Sequence, residues 1–293
     1  VDLTQTGPTT FVYDGDIEIT HPGTNITLYA SKGAETGESS PFTVVEGPAV
    51  KWQIVAPGET ADPGNATNPD GKTGSASVTA GDTNTYTVNL CDKWYNVVDP
   101  NPTGFTITSN NPFYRVTGTN NVVLRTAGTW KVTVSGGSYT SDVSNVTVNV
   151  GTASHLLILC NGEDALQGDD ATIGVRGKTG EPVNATLGDF YLVEIRAVDD
   201  CWNWVPSYED TEVNVFAAGT PPVDLTDQTI NAISGGHATG VNVDFKTVNV
   251  GGENIFAEDS KGLKTAYSTE VVVLPGIDSL EVSLSPSTVP VGV

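Results

Sequence analysis

"AVKWQIVAPGETADPG", residues 49–64, returns as "ASHLLILCNGEDALQG", residues 153–168. Ala49, Ile54, Gly58, Glu59, Ala61 and Gly64 match Ala153, Ile158, Gly162, Glu163, Ala165 and Gly168 at a shift of 104 positions. Self-similarity at a fixed period sets an architecture before any single motif is interpreted. Two further matches follow in the same order. "GKTG" at 71–74 recurs at 177–180, and "DKWYNVV" at 92–98 returns as "DDCWNWV" at 199–205, shifted by 106 and 107.

A second set of matches closes each unit. "HPGTNITLYASKG" (21–33), "TAGTWKVTVSGG" (126–137) and "NVGGENIFAEDSKG" (249–262) each lead, through a polar turn, to a last strand: "SPFTVVEG", "VSNVTVNVG" and "STEVVVLPG". Three endings and two complete beginnings divide the chain. Residues 1–48 read as the closing half of one domain, 49–152 and 153–276 as complete domains, and 277–293 as the first strand of another.

Val, Thr, Gly, Asn and Pro abound, Met is absent, and no segment has convincing helical periodicity. β-Branched residues suit pleated strands and the rest punctuate turns, so the chain is expected to be all-β. Trp130, Val132 and Val134 alternate with Lys131 and Thr133, the period of a sheet with one buried face. About seven short strands in each unit predict tandem immunoglobulin-like β-sandwich domains arranged end to end. A closed barrel is the alternative. "VNVGTASHLLIL" leaves almost no linker between units, which predicts a stiff rod.

Glu59 with its flanking glycines, the paired "GKTG" and the repeated Asp-x-x-aromatic-Asn-x-Val resemble the tandem immunoglobulin-like repeats, of bacterial Ig-like or invasin-like type, in long extracellular surface proteins. The resemblance covers nearly all of 49–276. It implies an extracellular or cell-surface rod, stalk or adhesin shaft, with no shared catalytic residues to carry over. The opening "VDLTQTG" and closing "STVPVGV" read as the edges of a piece of a longer protein.

Acidic side chains outnumber basic ones 35 to 13, for a formal charge of −22. Such a surface repels phosphate backbones and anionic lipid, so neither nucleic acid nor an anionic membrane surface is an expected partner. No run approaches the roughly 18 apolar residues of a membrane-spanning helix. Expected partners are other copies of the chain or neighbouring domains, with a glycan or cell-surface ligand as the alternative.

"GKTG" has the Lys and Thr of a phosphate loop, but Ala66 and Thr172 stand where the upstream glycine is required, and the motif reads as a Gly-framed turn. Glu59, Asp62 and Asp70 in one loop, and Glu163, Asp164, Asp169 and Asp170 in its counterpart, are calcium candidates because calcium takes several oxygen ligands. Neither loop has EF-hand spacing, and no cofactor is expected. His21, His155 and His237 fall in different domains, and neither a nucleophile elbow nor a His-Glu-x-x-His motif is present, so no enzyme is expected.

Lys51 and Asn149, on the first and last strands of one domain, have the residue types of an intramolecular isopeptide bond. Cys160 and Cys201 are expected at opposite ends of antiparallel neighbours, too far apart for a disulfide, and Cys91 leaves an odd count. Asn25, Asn65, Asn145 and Asn184 head glycosylation sequons.

The aromatic motif has two readings. Tyr95 and Trp202, beside Asn96 and Asn203, read as a core plug, with Asp92 and Asp199 satisfying turn amides. Trp94 and Trp204 are out of step between the copies, and they carry the alternative of an aromatic ligand platform. The expected function is structural: a rod, stalk or filament-forming repeat region. An adhesin or carbohydrate-binding module and a spacer of a large secreted enzyme are the alternatives.

Overall fold

A computed structural model describes residues 4–5, 11–12, 16–65, 68, 70–169, 176–218, 228–230, 232–245 and 247–276. Residues 277–293, Ala66, Thr172 and Asp170, each named above, lie outside this set. The described residues form strands, turns and bends, with no helix among them. The chain divides into two compact units, Val1–Asn149 and Val150–Val293.

In the first unit the main sheet runs in the order Val97–Asp99, Thr87–Cys91, Lys51–Val55, Tyr139–Asn149, Gly128–Gly136, Thr106–Ser109. The long strand Tyr139–Asn149 takes two parallel partners. Its start meets the first strand of the repeat at Thr140↔Lys51, and its end meets Ala76–Thr79, with Ala76 opposite Val146. Along it Asp142, Ser144, Val146 and Val148 are buried while Val143, Asn145 and Thr147 are exposed, as period 2 requires.

Among the described residues, the core cluster of this unit comes from positions between Trp52 and Val148, including Ile54, Val78, Tyr86, Val132 and Val134. Residues 16–48 add two small antiparallel pairs, Gly23–Ile26 with Phe42–Val44 and Tyr29–Lys32 with Glu35–Glu38.

The second unit repeats the plan in part, with its opening strand in a separate three-stranded sheet. His155–Cys160, Tyr191–Val198 and His237–Val243 form one antiparallel sheet. Ala185–Thr186, Val271–Leu274, Asn249–Asp259, Val213–Ala218 and Gln228–Ile230 form another, and Ala185 pairs in parallel with Val273 as Ala76 does with Val146. Leu156, Ile158, Ile195, Val213, Ile255 and Val271 lie in its core.

Both faces of the opening strand are covered in each unit, but by different chemistry. In the first, Trp52 and Ile54 join the core while Gln53, on the opposite face, is wholly buried. Gln53 donates to Gly71 O at 2.8 Å and accepts from Asn89 Nδ2 at 2.9 Å, which meets the requirement that buried polar groups be paired. In the second unit that face is apolar: Leu157, Leu159 and Val198 cluster with Ala165 and Trp202.

Two expectations need correction. "KTG" is strand rather than turn in both copies: Lys72–Gly74 pairs with Glu59–Ala61, and Lys178–Gly180 with Glu163–Ala165. The Lys51–Asn149 isopeptide bond is excluded by register, since Lys51 pairs with Thr140, at the far end of the last strand from Asn149. Lys51 Nζ instead donates to Lys93 O at 3.0 Å, and Asn149 Nδ2 to Ser77 Oγ at 2.8 Å. The antiparallel register His155↔Val198, Cys160↔Val193 separates Cys160 from Cys201 as expected, and all three cysteines are buried thiols.

Candidate functional site

The motif shared by the two copies folds into a tight turn around one carboxylate. Asp92 N donates to Asn96 O at 3.0 Å and Tyr95 N to Asp92 O at 3.2 Å; Asp199, Trp202 and Asn203 repeat both bonds at 3.0 Å. Asp92 Oδ1 accepts from the amides of Trp94 (2.8 Å) and Asn96 (3.0 Å), and Oδ2 from Asn96 Nδ2 at 2.9 Å. Asp199 Oδ1 accepts from the amides of Cys201 (2.8 Å) and Asn203 (2.9 Å), and Oδ2 from Asn203 Nδ2 at 3.0 Å. A buried carboxylate is tolerated because charge-assisted bonds replace its water.

Each carboxylate also reaches outside its turn. Asp92 Oδ2 accepts from Gly47 N at 3.0 Å and Asp199 Oδ2 from Gly151 N at 2.8 Å, so each turn fastens the segment that enters its repeat's first strand. Burial pushes the Asp92 carboxyl up, but the Asn96 side chain and the amides of Gly47, Trp94 and Asn96 outweigh it and hold the group below its ordinary value.

In the first unit the turn grips residues 16–22 as well. Asn96 Nδ2 donates to Thr20 O at 2.9 Å, Thr20 Oγ1 to Gly64 O at 2.5 Å, and Lys93 pairs with Glu18. Gly64 N is itself fixed by Trp94 O at 2.8 Å.

Tyr95 and Trp202 both have φ of 62°, the left-handed region that is rarely occupied by non-glycine residues. Their rings lie against Gly71 and Gly177, the first glycines of the two "GKTG" copies. A Cβ there would stand 2.2 Å from the Tyr95 ring and 2.5 Å from that of Trp202. The two motifs that repeat across the chain are therefore one contact. The lysine between them is equally structural: Lys72 Nζ donates to Ile54 O (3.0 Å), Asp142 Oδ2 (2.9 Å) and Val143 O (2.9 Å). Lys178 Nζ donates to Ile158 O and Glu163 Oε2, each at 3.0 Å. Nothing of a phosphate loop remains, since both ammonium groups are buried and bonded within the fold.

The tryptophans are not brought together. Trp94 is half-buried under Lys93 and lines an open cleft of about 380 Å³ with Ile17, Thr20, His21 and Val45. Trp204, also half-buried, meets His237 edge-on at 5.1 Å, with Arg196 over its ring.

Of the calcium candidates, Glu59 accepts from Ala56 N at 2.9 Å and Glu163 from Cys160 N at 2.8 Å. Asp62 is bonded to Asn65 and Asn68, whose side-chain amides lower its pKa, and Asp169 accepts from Gly177 N at 2.8 Å. Asp70 and Asp164 are exposed, and no group of three or more His, Cys, Asp or Glu gathers among the described residues. Asn25, Asn65, Asn145 and Asn184 are all exposed.

Sequence reasoning missed Gly47, Gly151, Thr20 and Asp142. Only the glycines had a signal in the sequence, because "VEGP" and "NVGT" stand at the same distance before the two first strands.

No protein-family model matches the chain, and no curated protein matches it. Solved structures that it resembles are domains 5–6 of the S-layer protein SbsC, at 17% identity over 69% of this chain and 93% of that one, TM-score 0.21. Domains 1–6 of surface layer protein SbsC match at 18% identity over 82% of this chain, TM-score 0.25, and the match spans 30% of that longer chain. Likeness at this level defines neither a family nor a topology.

Proposed function

We propose that this chain is a non-enzymatic structural repeat region of a long extracellular surface protein, a rod, stalk or filament-forming segment built of immunoglobulin-like sandwiches arranged end to end. In this reading 1–48 closes one domain, 49–152 and 153–276 are complete domains, and 277–293 opens the next. The carrying observation is the repeated clamp: Asp92 on Gly47 and Asp199 on Gly151 fasten the entering segment to the body of each repeat. Fixing the entry point of both repeats supports an array of modules joined in series.

The parallel pairing of an early strand with the last strand, Ala76↔Val146 and Ala185↔Val273, supports the sandwich assignment. Self-association with other copies is the expected partnership, and edge strands are its expected means. The reading needs no cofactor.

Small-angle scattering of the 293-residue chain tests the shape. An extended distance distribution is expected, and a compact, near-spherical one would refute the rod. Negative-stain microscopy separates filament from stalk: fibres identify the former, single short rods the latter.

A further inference from the structure

The two copies differ beside the turn in a way that a structural role does not require. Beside the aromatic of the turn, the first copy has Lys51, Asp70 and Thr140, with Lys51 Nζ 4.1 Å from the Tyr95 ring centre. The corresponding residues of the second copy are His155, Arg176 and Lys264, around Trp202. Equivalence of the last pair rests on register, because His155 bridges Lys264 in parallel just as Lys51 pairs with Thr140. A carboxylate and a hydroxyl have become two exposed cations in a chain of net charge −22.

His155 and Arg176 line an open cleft of about 300 Å³ together with Leu157, Trp202, Thr265 and Tyr267, among others, and Lys264 stands at its rim through His155. The imidazole of His155 lies 5.1 Å from the indole of Trp202 at 34°, and Tyr267 is 62% exposed. Lys264 Nζ is 3.1 Å from His155 Nε2, and Ser154 Oγ is 2.7 Å from Nδ1. An ammonium can only donate, so Nε2 accepts and the ring proton sits on Nδ1, facing the serine. Burial first, then the Lys264 charge, lowers the His155 pKa, so the ring stays neutral. Lys178, also at the cleft, is neutralised by Glu163.

We propose that this cleft of the second repeat binds a carboxylate-bearing sugar, with Tyr267 packing on the pyranose ring beside the edge of Trp202, and Arg176 and Lys264 holding the carboxylate. Arg offers a fork that matches a carboxylate, and the exposed Tyr267 presents an apolar face to a sugar ring, while Trp202, packed on Gly177 and His155, offers its edge. The cleft is at the small end of the range for ligand sites, which suits a ring rather than an extended strand. Asp200, 79% exposed and 3.6 Å from His155, and Glu258, beside Thr265, form an acidic rim to the site. The site goes beyond the structural reading, which stands whether or not the cleft binds.

Tetragalacturonate titrated into the whole chain, followed by calorimetry, tests this against maltotetraose as the neutral control. Binding at about millimolar concentration or tighter is expected, with maltotetraose at least about tenfold weaker, the equivalent of ~1.4 kcal/mol. The double variant Arg176→Asp, Lys264→Thr restores the first copy's residues at exposed positions, so its melting profile should match the parent while affinity falls about tenfold or more. Trp202→Tyr, which places the first copy's ring at the same φ, should weaken binding severalfold. Absence of tetragalacturonate binding, or equal binding by the double variant, would overturn the assignment. So would equal competition by a peptide of this chain's own acidic segment 59–70, which would mark a protein partner.

Discussion

Asp199 accepts a hydrogen bond from the backbone amide of Gly151 at 2.8 Å, and Asp92 does the same for Gly47 at 3.0 Å. In each case one buried carboxylate joins the turn that closes a strand pair to the segment that opens the repeat. Removing it strands several donors at once, each charge-assisted bond being worth about 1.5–3 kcal/mol.

Asp199→Ala is therefore expected to cost about 3 kcal/mol or more, lowering the calorimetric transition of its own unit and sparing the other. Asp92 adds a pH signature. Its native pKa is depressed, so its stabilisation is complete above the ordinary value of 3.8 and disappears as pH falls through the native one. Acid titration of Asp92→Asn should lack that component; an unchanged acid limb would contradict the assignment.

Gly71→Ala and Gly177→Ala test the contact between glycine and ring. Each would combine positive φ with a Cβ inside the Tyr95 or Trp202 ring, and a loss of about 3 kcal/mol is expected in denaturant unfolding. Replacing a glycine that meets nothing within 4 Å, Gly104 or Gly262, controls for positive φ alone and should cost about 1 kcal/mol.

Glu253 lies on the core side of strand Asn249–Asp259, 4% exposed, and its Oε1 has no hydrogen-bond partner among the described residues. Burial raises its pKa. With the native pKa above the ordinary 4.5, the group's best contribution is made below that value and is lost as pH rises through the native one. Glu253→Gln should thus stabilise the unit by about 1 kcal/mol at pH near 7 and gain nothing at pH near 4. Destabilisation at neutral pH would show an ionised partner.

The thiols should be inert in the native state. Burial, and then nearby carboxylates, push Cys91 up to about 12 and Cys160 up to about 11, and Cys201 is 3% exposed. A thiolate reagent at pH 8 is expected to label none until denaturant exposes all three. Stoichiometric native labelling would reveal local opening of a first strand or its turn.

The repeat, the all-β character and the turn motif were legible because each rests on local pattern: an offset near 105, period-2 alternation, and Asp and Asn framing a ring. The partners were not. Asp92 and Gly47 are 45 positions apart, and His155 and Lys264 are 109 apart, so only register brings them together. The role of "GKTG" was hidden for the same reason. Its lysine is explained by Ile54 O and Asp142 in one copy and by Ile158 O and Glu163 in the other, which are carboxylates from different strands. Trp94 and Trp204, out of step between the copies and grouped in sequence only as spare rings, sit in separate units against different neighbours.

The face of the opening strand that is polar in one copy, through Gln53 and Asn89, and apolar in the other, through Leu157 and Leu159, bears on how such a chain can diversify. The same opening strand and turn carry two incompatible layers of side chains while keeping one carboxylate, one glycine and one ring. Drift is thereby confined within a module: a duplicated copy can trade hydrogen bonds for oil, or an acid for a base at its cleft, without renegotiating the frame it inherited.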